Sequence, residues 1–152
     1  MTTMAARPST SWRRGAFRWA LAVAAIAFGA MTLLSGGKVL FGGAAARADA
    51  GAVVDFVLLF NFGAGFAYIL AGVGALARRR WSLQLARILA GATLLVFAAL
   101  GAHIATGGAF ETRTVAAMTL RSAFWLGQTL ALAHIFKSAA EVLPNSERRQ
   151  QP

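Results

Sequence analysis

Val53 to Arg80 reads VVDFVLLFNFGAGFAYILAGVGALARRR, twenty-five residues with a single ionisable group, Asp55, closed by three consecutive arginines. A helix needs about 20 predominantly apolar residues to cross a bilayer. The stretch is apolar on nearly every face, which excludes an amphipathic surface helix. It is too long for a strand and lacks the polar–apolar alternation of a membrane barrel. Lipid offers the backbone no hydrogen-bond partners, so the segment is read as a transmembrane helix.

Working outward, three further apolar segments share this character: 17–35, 83–104 and 115–136. The sequence therefore predicts an all-α integral membrane protein, a four-helix bundle in up-down-up-down order. Its spans are 17–35, 53–77, 83–104 and 115–136, with cytoplasmic tails at 1–16 and 137–152. The short connections force antiparallel neighbours. Composition agrees. The 152 residues make one domain, 58% hydrophobic and 13% charged, with a mean hydropathy of +0.62. Soluble domains run at about 45–50% apolar and about 25% charged. The absence of cysteine excludes disulfides, thiolate metal sites, c-type haem attachment and a cysteine nucleophile.

The net charge of +10 sits at the ends of apolar segments, so it is read as topology and nucleic acid is set aside as a partner. Arg7, Arg13, Arg14 and Arg18 precede the first span. Arg78, Arg79, Arg80 and Arg87 surround the middle connection, and Lys137, Arg148 and Arg149 follow the last span. The other two connections hold only Lys38, Arg47 and Arg113. The positive-inside rule then puts both termini in the cytoplasm of a bacterial-type cell bounded by its inner membrane. Trp12, Trp19 and Trp81 fall at the expected inner boundary. Arg13-Arg14 before an apolar run, with Ala46-Arg47-Ala48 and Ala48-Asp49-Ala50 downstream, raises the alternative of a cleaved signal peptide. The apolar run extends to Leu34 and the cleavage-like stretches lie well beyond it, so a retained helix is expected.

Small residues at four-residue spacing mark expected helix contacts: Gly63, Ala67, Ala71 and Ala75; Thr119, Ala123, Gly127 and Ala131; and Ala86 with Ala90, then Ala98 with Ala102. Gly36-Gly37 and Gly107-Gly108 read as outer turns.

Ionisable residues inside a membrane demand an explanation. Arg121 lies six residues inside the last span. Asp55, Asn61, His103, Glu111 and Arg113 fall on the same outer side, as does Lys38. These six residues with Arg121 and without Lys38 (Asp55, Asn61, His103, Glu111, Arg113, Arg121) are the candidate cluster. They form either an ion-pair network, with Arg121 paired to Asp55 or Glu111, or an outward-facing pocket for a ligand, ion or quinone head group. Tyr68 and Gln128, near mid-membrane, are expected to hydrogen-bond across helices. His103 and His134 differ in depth by about 25–30 Å, too far to share one haem. His103, Asp55 and Glu111 are a weak metal trio, and no metal or other cofactor is expected. No nucleophile–base pair and no phosphate loop is present.

Gly36-Gly37-Lys38 after Phe28, the glycines of Phe62-Gly63-Ala64-Gly65 and Ala71-Gly72-Val73-Gly74, and the four short helices resemble the DoxX-like membrane proteins over residues 17–136. The resemblance implies a small four-helix inner-membrane protein, in a family with some members associated with respiratory or sulfur redox chains. Many members carry a Glu beside glycines on the second helix, where this chain has Asn61. The expected function is a non-enzymatic accessory or assembly subunit that meets the lipid bilayer and other membrane subunits or its own copies. The alternatives are a small-ligand or ion carrier using the outer pocket, and a haem- or quinone-binding redox protein.

The topology is directly testable. A reporter active only in the cytoplasm, fused after Pro152 or at Arg80, is expected to be active; at Ala48 or Gly108 it is expected to be silent. Activity at Gly108 reverses the orientation. An intact mass lacking the residues before Asp49 or Gly51 would show a cleaved leader.

Overall fold

The computed structural model describes residues 10–148, with side chains over 15–137. Arg7 and Arg149 lie outside the described residues, as do the side chains of Trp12, Arg13, Arg14 and Arg148. Every element among the described residues is helical: α1 (Thr10–Phe41), α2 (Gly43–Ala50), α3 (Asp55–Leu76), α4 (Trp81–Ala105) and α5 (Thr112–Arg148). Within α1, Gly15–Phe41 is long and apolar enough to cross a membrane, and so are α3 and α4. The longer α5 is not among those three. Arg121, Gln128 and His134 interrupt its apolar run.

Helix ends depart from the ends of the apolar runs. α1 begins at Thr10 rather than 17, and α5 runs to Arg148 rather than 136. Hydropathy marks where a membrane would stop. It does not mark where backbone hydrogen bonding stops, and the flanking polar residues are helix-compatible. Gly36-Gly37 is not a turn. Both glycines stay inside α1, packed on the Phe62 ring, where an added Cβ on Gly36 would lie 3.4 Å from Phe62 Cδ2. The chain breaks instead at Gly42-Gly43. The Gly42 N–H bonds to the Lys38 carbonyl at 2.9 Å, and Gly43 takes φ +75°. The stretch 36–52, expected as a loop, is thus the end of α1 plus the separate helix α2. Gly107-Gly108 is the turn expected, with Gly107 at φ +85°.

At the α3–α4 connection the left-handed position falls on Arg78, at φ 55°. The Arg79 N–H reaches the Gly74 carbonyl at 2.9 Å and the Arg78 N–H reaches Ala75 at 3.2 Å. This is the pair of bonds that usually closes a helix on glycine.

α1 packs most extensively on α3, α3 on α4 and α4 on α5, while α1 and α5 touch sparsely. The α1–α3 seam is built on small residues. An added Cβ on Gly29 would meet the Gly65 carbonyl at 2.8 Å, and one on Gly72 would meet the Ala22 carbonyl at 2.7 Å. Pairing 22 with 72 and 29 with 65 makes the two helices antiparallel. Thr32 faces Arg121 and Leu21 faces Gln128, so α1 and α5 are antiparallel too. Asn61 meets Met118 and Tyr68 meets Trp125, an equal spacing on each helix that makes α3 and α5 parallel. One buried cluster gathers Ala22, Ala25, Tyr68, Leu89, Trp125 and Leu132, and a second holds Val54, Val57, Leu100 and Met118 nearer the outer end.

Two of the expected small-residue faces are corrected. Gly63 is exposed with nothing near it, and the α3 contact stripe is Ala64, Gly65, Tyr68, Ala71, Gly72 and Ala75. On α5, Thr119, Ala123 and Gly127 face outward while Met118, Ser122, Trp125 and Leu132 are buried. On α4, Ala86 and Ala90 are buried and Ala98 and Ala102 exposed. In a helix that is apolar all round, the large residues Met118 and Trp125 choose the packed face.

The seam predicts a contrast. Gly29→Ala pushes a methyl group onto backbone, and is expected to lose about 1–3 kcal/mol. Gly63→Ala is expected to be neutral or mildly stabilising. Unfolding of both variants in one mild detergent, measured side by side, checks this.

Candidate functional site

Gly42-Gly43 turns the chain at the C-terminal end of α1, and α2 lines one side of a cavity. Three interactions fix α2 and the segment that follows it. Arg47 forms an ion pair with Asp55 at the start of α3. Arg113 Nη2 donates to the Asp49 carbonyl at 2.9 Å, tying α2 to α5. The Ala52 N–H donates to Glu111 Oε1 at 3.0 Å. Gly51, at φ +71°, lies under that carboxylate, and a Cβ there would collide with it.

Beneath α2, between the outer halves of α1, α3 and α5, is a cavity of about 550 Å³. Its polar lining includes Thr32, Ser35, Asn61 and Thr114; its charged lining is Lys38, Arg113, Arg121 and Asp49. Val39, Val53, Val54, Val57 and Leu58 supply apolar wall. Arg121 lies deepest along α5, one helical step from the buried Met118 and Ser122. Its Nη2 is 3.4 Å from the Thr32 hydroxyl, and the guanidinium carbon sits 5.8 Å from the Phe28 ring centre. Its Nε is enclosed without a partner, as is Asn61 Oδ1. Asn61 Nδ2 makes one long contact, 3.5 Å to Met118 Sδ. No carboxylate among the described residues meets Arg121: its company is the long bond to Thr32, the nearby Tyr68 hydroxyl and the face of the Phe28 ring.

The six candidate residues divide evenly. Asn61, Arg113 and Arg121 line the cavity; Asp55, Glu111 and His103 do not. The expected pairing of Arg121 with Asp55 or Glu111 is not formed. Arg47 holds Asp55 at the exposed surface, and Glu111 receives the Ala52 N–H. His103 packs edge-on against Phe56 at 6.2 Å, with Nε2 3.1 Å from the Ala109 carbonyl. It fills the space beside Gly108, where a side chain would collide with the imidazole. His103, Asp55 and Glu111 form no metal-ligand group among the described residues. The sequence reading missed Thr32, Ser35 and Asp49. Thr32 and Ser35 carried a usable signal, two hydroxyls three residues apart in an apolar helix, which places them on one face.

Deeper in the helices, Gln128 Nε2 donates to the Leu21 carbonyl at 2.7 Å, the cross-helix bond expected of it. Tyr68 instead lies tilted against Trp125, 4.7 Å between ring centres, and stacks on Phe28 at 5.9 Å. The Tyr68 hydroxyl, Thr93 Oγ1 and Trp125 Nε1 are buried without partners. Compared with known protein families, curated proteins and solved structures, the chain matches none.

The charge geometry predicts no coupling between Arg121 and Asp55. In a double-mutant cycle of Arg121→Leu and Asp55→Leu, read by unfolding in detergent, the effects are expected to add within about 0.3–0.5 kcal/mol. The exposed Arg47–Asp55 pair is expected to contribute no more than about 1 kcal/mol. A coupling of several kcal/mol between Arg121 and Asp55 would show a direct ion pair.

Proposed function

We propose that the chain is a multi-pass protein of a bacterial-type inner membrane that takes a small ligand or ion from the outer side into the Arg121 cavity. In this reading α1, α3, α4 and α5 form an up-down-up-down four-helix bundle with both termini cytoplasmic, and α5 is its fourth span. The three apolar helices support membrane residence. The excess of basic residues around 7–18, 78–87 and 137–149 supports the orientation. The observation that carries the functional reading is Arg121, a cation at the floor of a cavity with no carboxylate partner among the described residues. Intramembrane charge that is not spent on an internal pair points to a ligand or transport role.

A second reading, an accessory subunit of a membrane complex, is favoured by one observation. Thr119, Ala123 and Gly127 lie exposed along α5, a face on which another transmembrane helix can approach closely. Kinship with the DoxX-like proteins is proposed on the helix glycines and Lys38 alone.

The natural chain has no cysteine, so one introduced thiol gives one labelling site. A membrane-impermeant maleimide added to intact spheroplasts is expected to label the exposed Ala45→Cys on α2 rapidly and Ala117→Cys in the cavity more slowly. It is expected to label Ala77→Cys only after permeabilisation. Labelling of Ala77→Cys in intact spheroplasts inverts the orientation. An Ala117→Cys thiol inert to small reagents from both sides removes the pocket.

A further inference from the structure

We infer that the ligand is an anionic amphiphile, with one carboxylate or phosphate head at Arg121 and a hydrocarbon chain along the apolar wall. The inference rests on the outward-facing pocket proposed above and names what that pocket selects.

Charge sets the sign of the ligand. The lining holds three cations, Lys38, Arg113 and Arg121, against one acid, Asp49. At the floor the available groups are mainly donors. Arg121 carries five N–H donors and no acceptor; its neighbours are the hydroxyls of Thr32 and Tyr68, and its Nε has no partner among the described residues. A planar fork of this kind matches a carboxylate or phosphate with two parallel bonds. Thr32 flanks it, and its hydroxyl hydrogen can bond the same head. A cationic ligand would meet Arg121 at like charge, and a neutral one would leave that charge uncompensated.

The walls set the rest of the ligand. Val39, Val53, Val54, Val57 and Leu58 come from α1, the α2–α3 connection and α3. A free inorganic anion would leave this surface unused, whereas a hydrocarbon chain would cover it. The volume of about 550 Å³ falls in the range of about 300–1,000 Å³ found for small-molecule sites.

Packing offers a route in. Both α1 and α5 line the cavity, and these two helices make the sparsest of the long-helix contacts. Phe28 against Phe124, 4.6 Å between ring centres, closes the seam on the inner side of Arg121. Above, α2 roofs the cavity. The gap between α1 and α5 admits the ligand, whose head then reaches the arginine while its chain lies along the wall of α1, the α2–α3 connection and α3.

The test uses the full-length protein in phosphatidylcholine nanodiscs and a scintillation proximity readout with radiolabelled laurate. Saturable laurate binding is expected, displaced by unlabelled laurate and by lysophosphatidic acid, the two arms that separate a carboxylate from a lipid phosphate source. Acetate, inorganic phosphate and dodecanol are expected not to compete at equal concentration. Arg121→Gln is expected to weaken binding about tenfold to a hundredfold, the loss of a hydrogen-bonded charge contact, with Arg121→Lys intermediate. Ala117→Phe fills the cavity and leaves Arg121 in place, so loss of binding in that variant, with unfolding temperature retained, supports the site independently of the arginine. Competition by acetate or phosphate as strong as that by laurate overturns the amphiphile and leaves the pocket standing. Competition by dodecanol equal to laurate, or unchanged binding in Arg121→Gln, overturns the anion. Absence of saturable binding by any of these probes, with Ala117→Cys unreactive, overturns the pocket reading as well.

Discussion

The backbone contact between α1 and α3 is the constraint on which the rest of the arrangement depends. In lipid, apolar side chains gain nothing by leaving solvent for one another, so helices associate where their surfaces approach closely enough for dispersion to add up. Gly29, Gly65 and Gly72 remove the side chains that would hold α1 and α3 apart. That close approach fixes the register of Thr32 and Gly36 against α3. With α1 held there, the outer end of α5 meets α1 at Thr32 and little beyond. The cavity occupies the space that α1 and α5 leave between them.

Arg121 is the second organising element, and it pulls against the first. Good packing favours filling every space with apolar atoms, whereas a guanidinium at this depth needs polar company. The structure meets the conflict with the hydroxyls of Thr32 on α1 and Tyr68 on α3, and keeps its carboxylates elsewhere. Asp55 and Glu111 are engaged in holding α2 and the α2–α3 connection. Both acids lie a helical turn or more above the arginine's level and fix the roof over the cavity. The buried Tyr68–Trp125 contact continues the polar track inward. Each of those rings places a polar tip in the interior while its apolar body fills the core.

The apolar runs, the positions of the short connections and the gathering of Asn61, Arg113 and Arg121 were legible in the sequence, because each depends on counting residues along a helix. What was not legible depends on the angle around a helix axis. The buried face of α5 belongs to Met118 and Trp125 rather than to Thr119 and Ala123. In a segment apolar on all sides, composition gives no direction inward. By the register that sets Asn61 beside Met118 and Tyr68 beside Trp125, Asp55 lies nine residues, about 13 Å, from the level of Arg121, and it meets Arg47 there. The helix α2 escaped because seven residues of alanine, arginine and aspartate between Gly43 and Gly51 carry no apolar period. Gly36-Gly37 misled for a related reason. A glycine pair marks a turn only where the backbone needs the freedom, and here it makes room for Phe62.

Arg78 carries a consequence for where a bilayer around such a chain ends. The connection between α3 and α4 is four residues long, and three of the four are arginine. One of them must occupy the left-handed closing position, where a side chain costs about 1–2 kcal/mol relative to glycine. The turn accepts that conformational cost and keeps an unbroken block of positive charge at the tip of a helical hairpin. Three adjacent charges at the tip of the α3–α4 hairpin repel one another and stay in water, so any bilayer the two apolar helices enter must end at Arg78–Arg80.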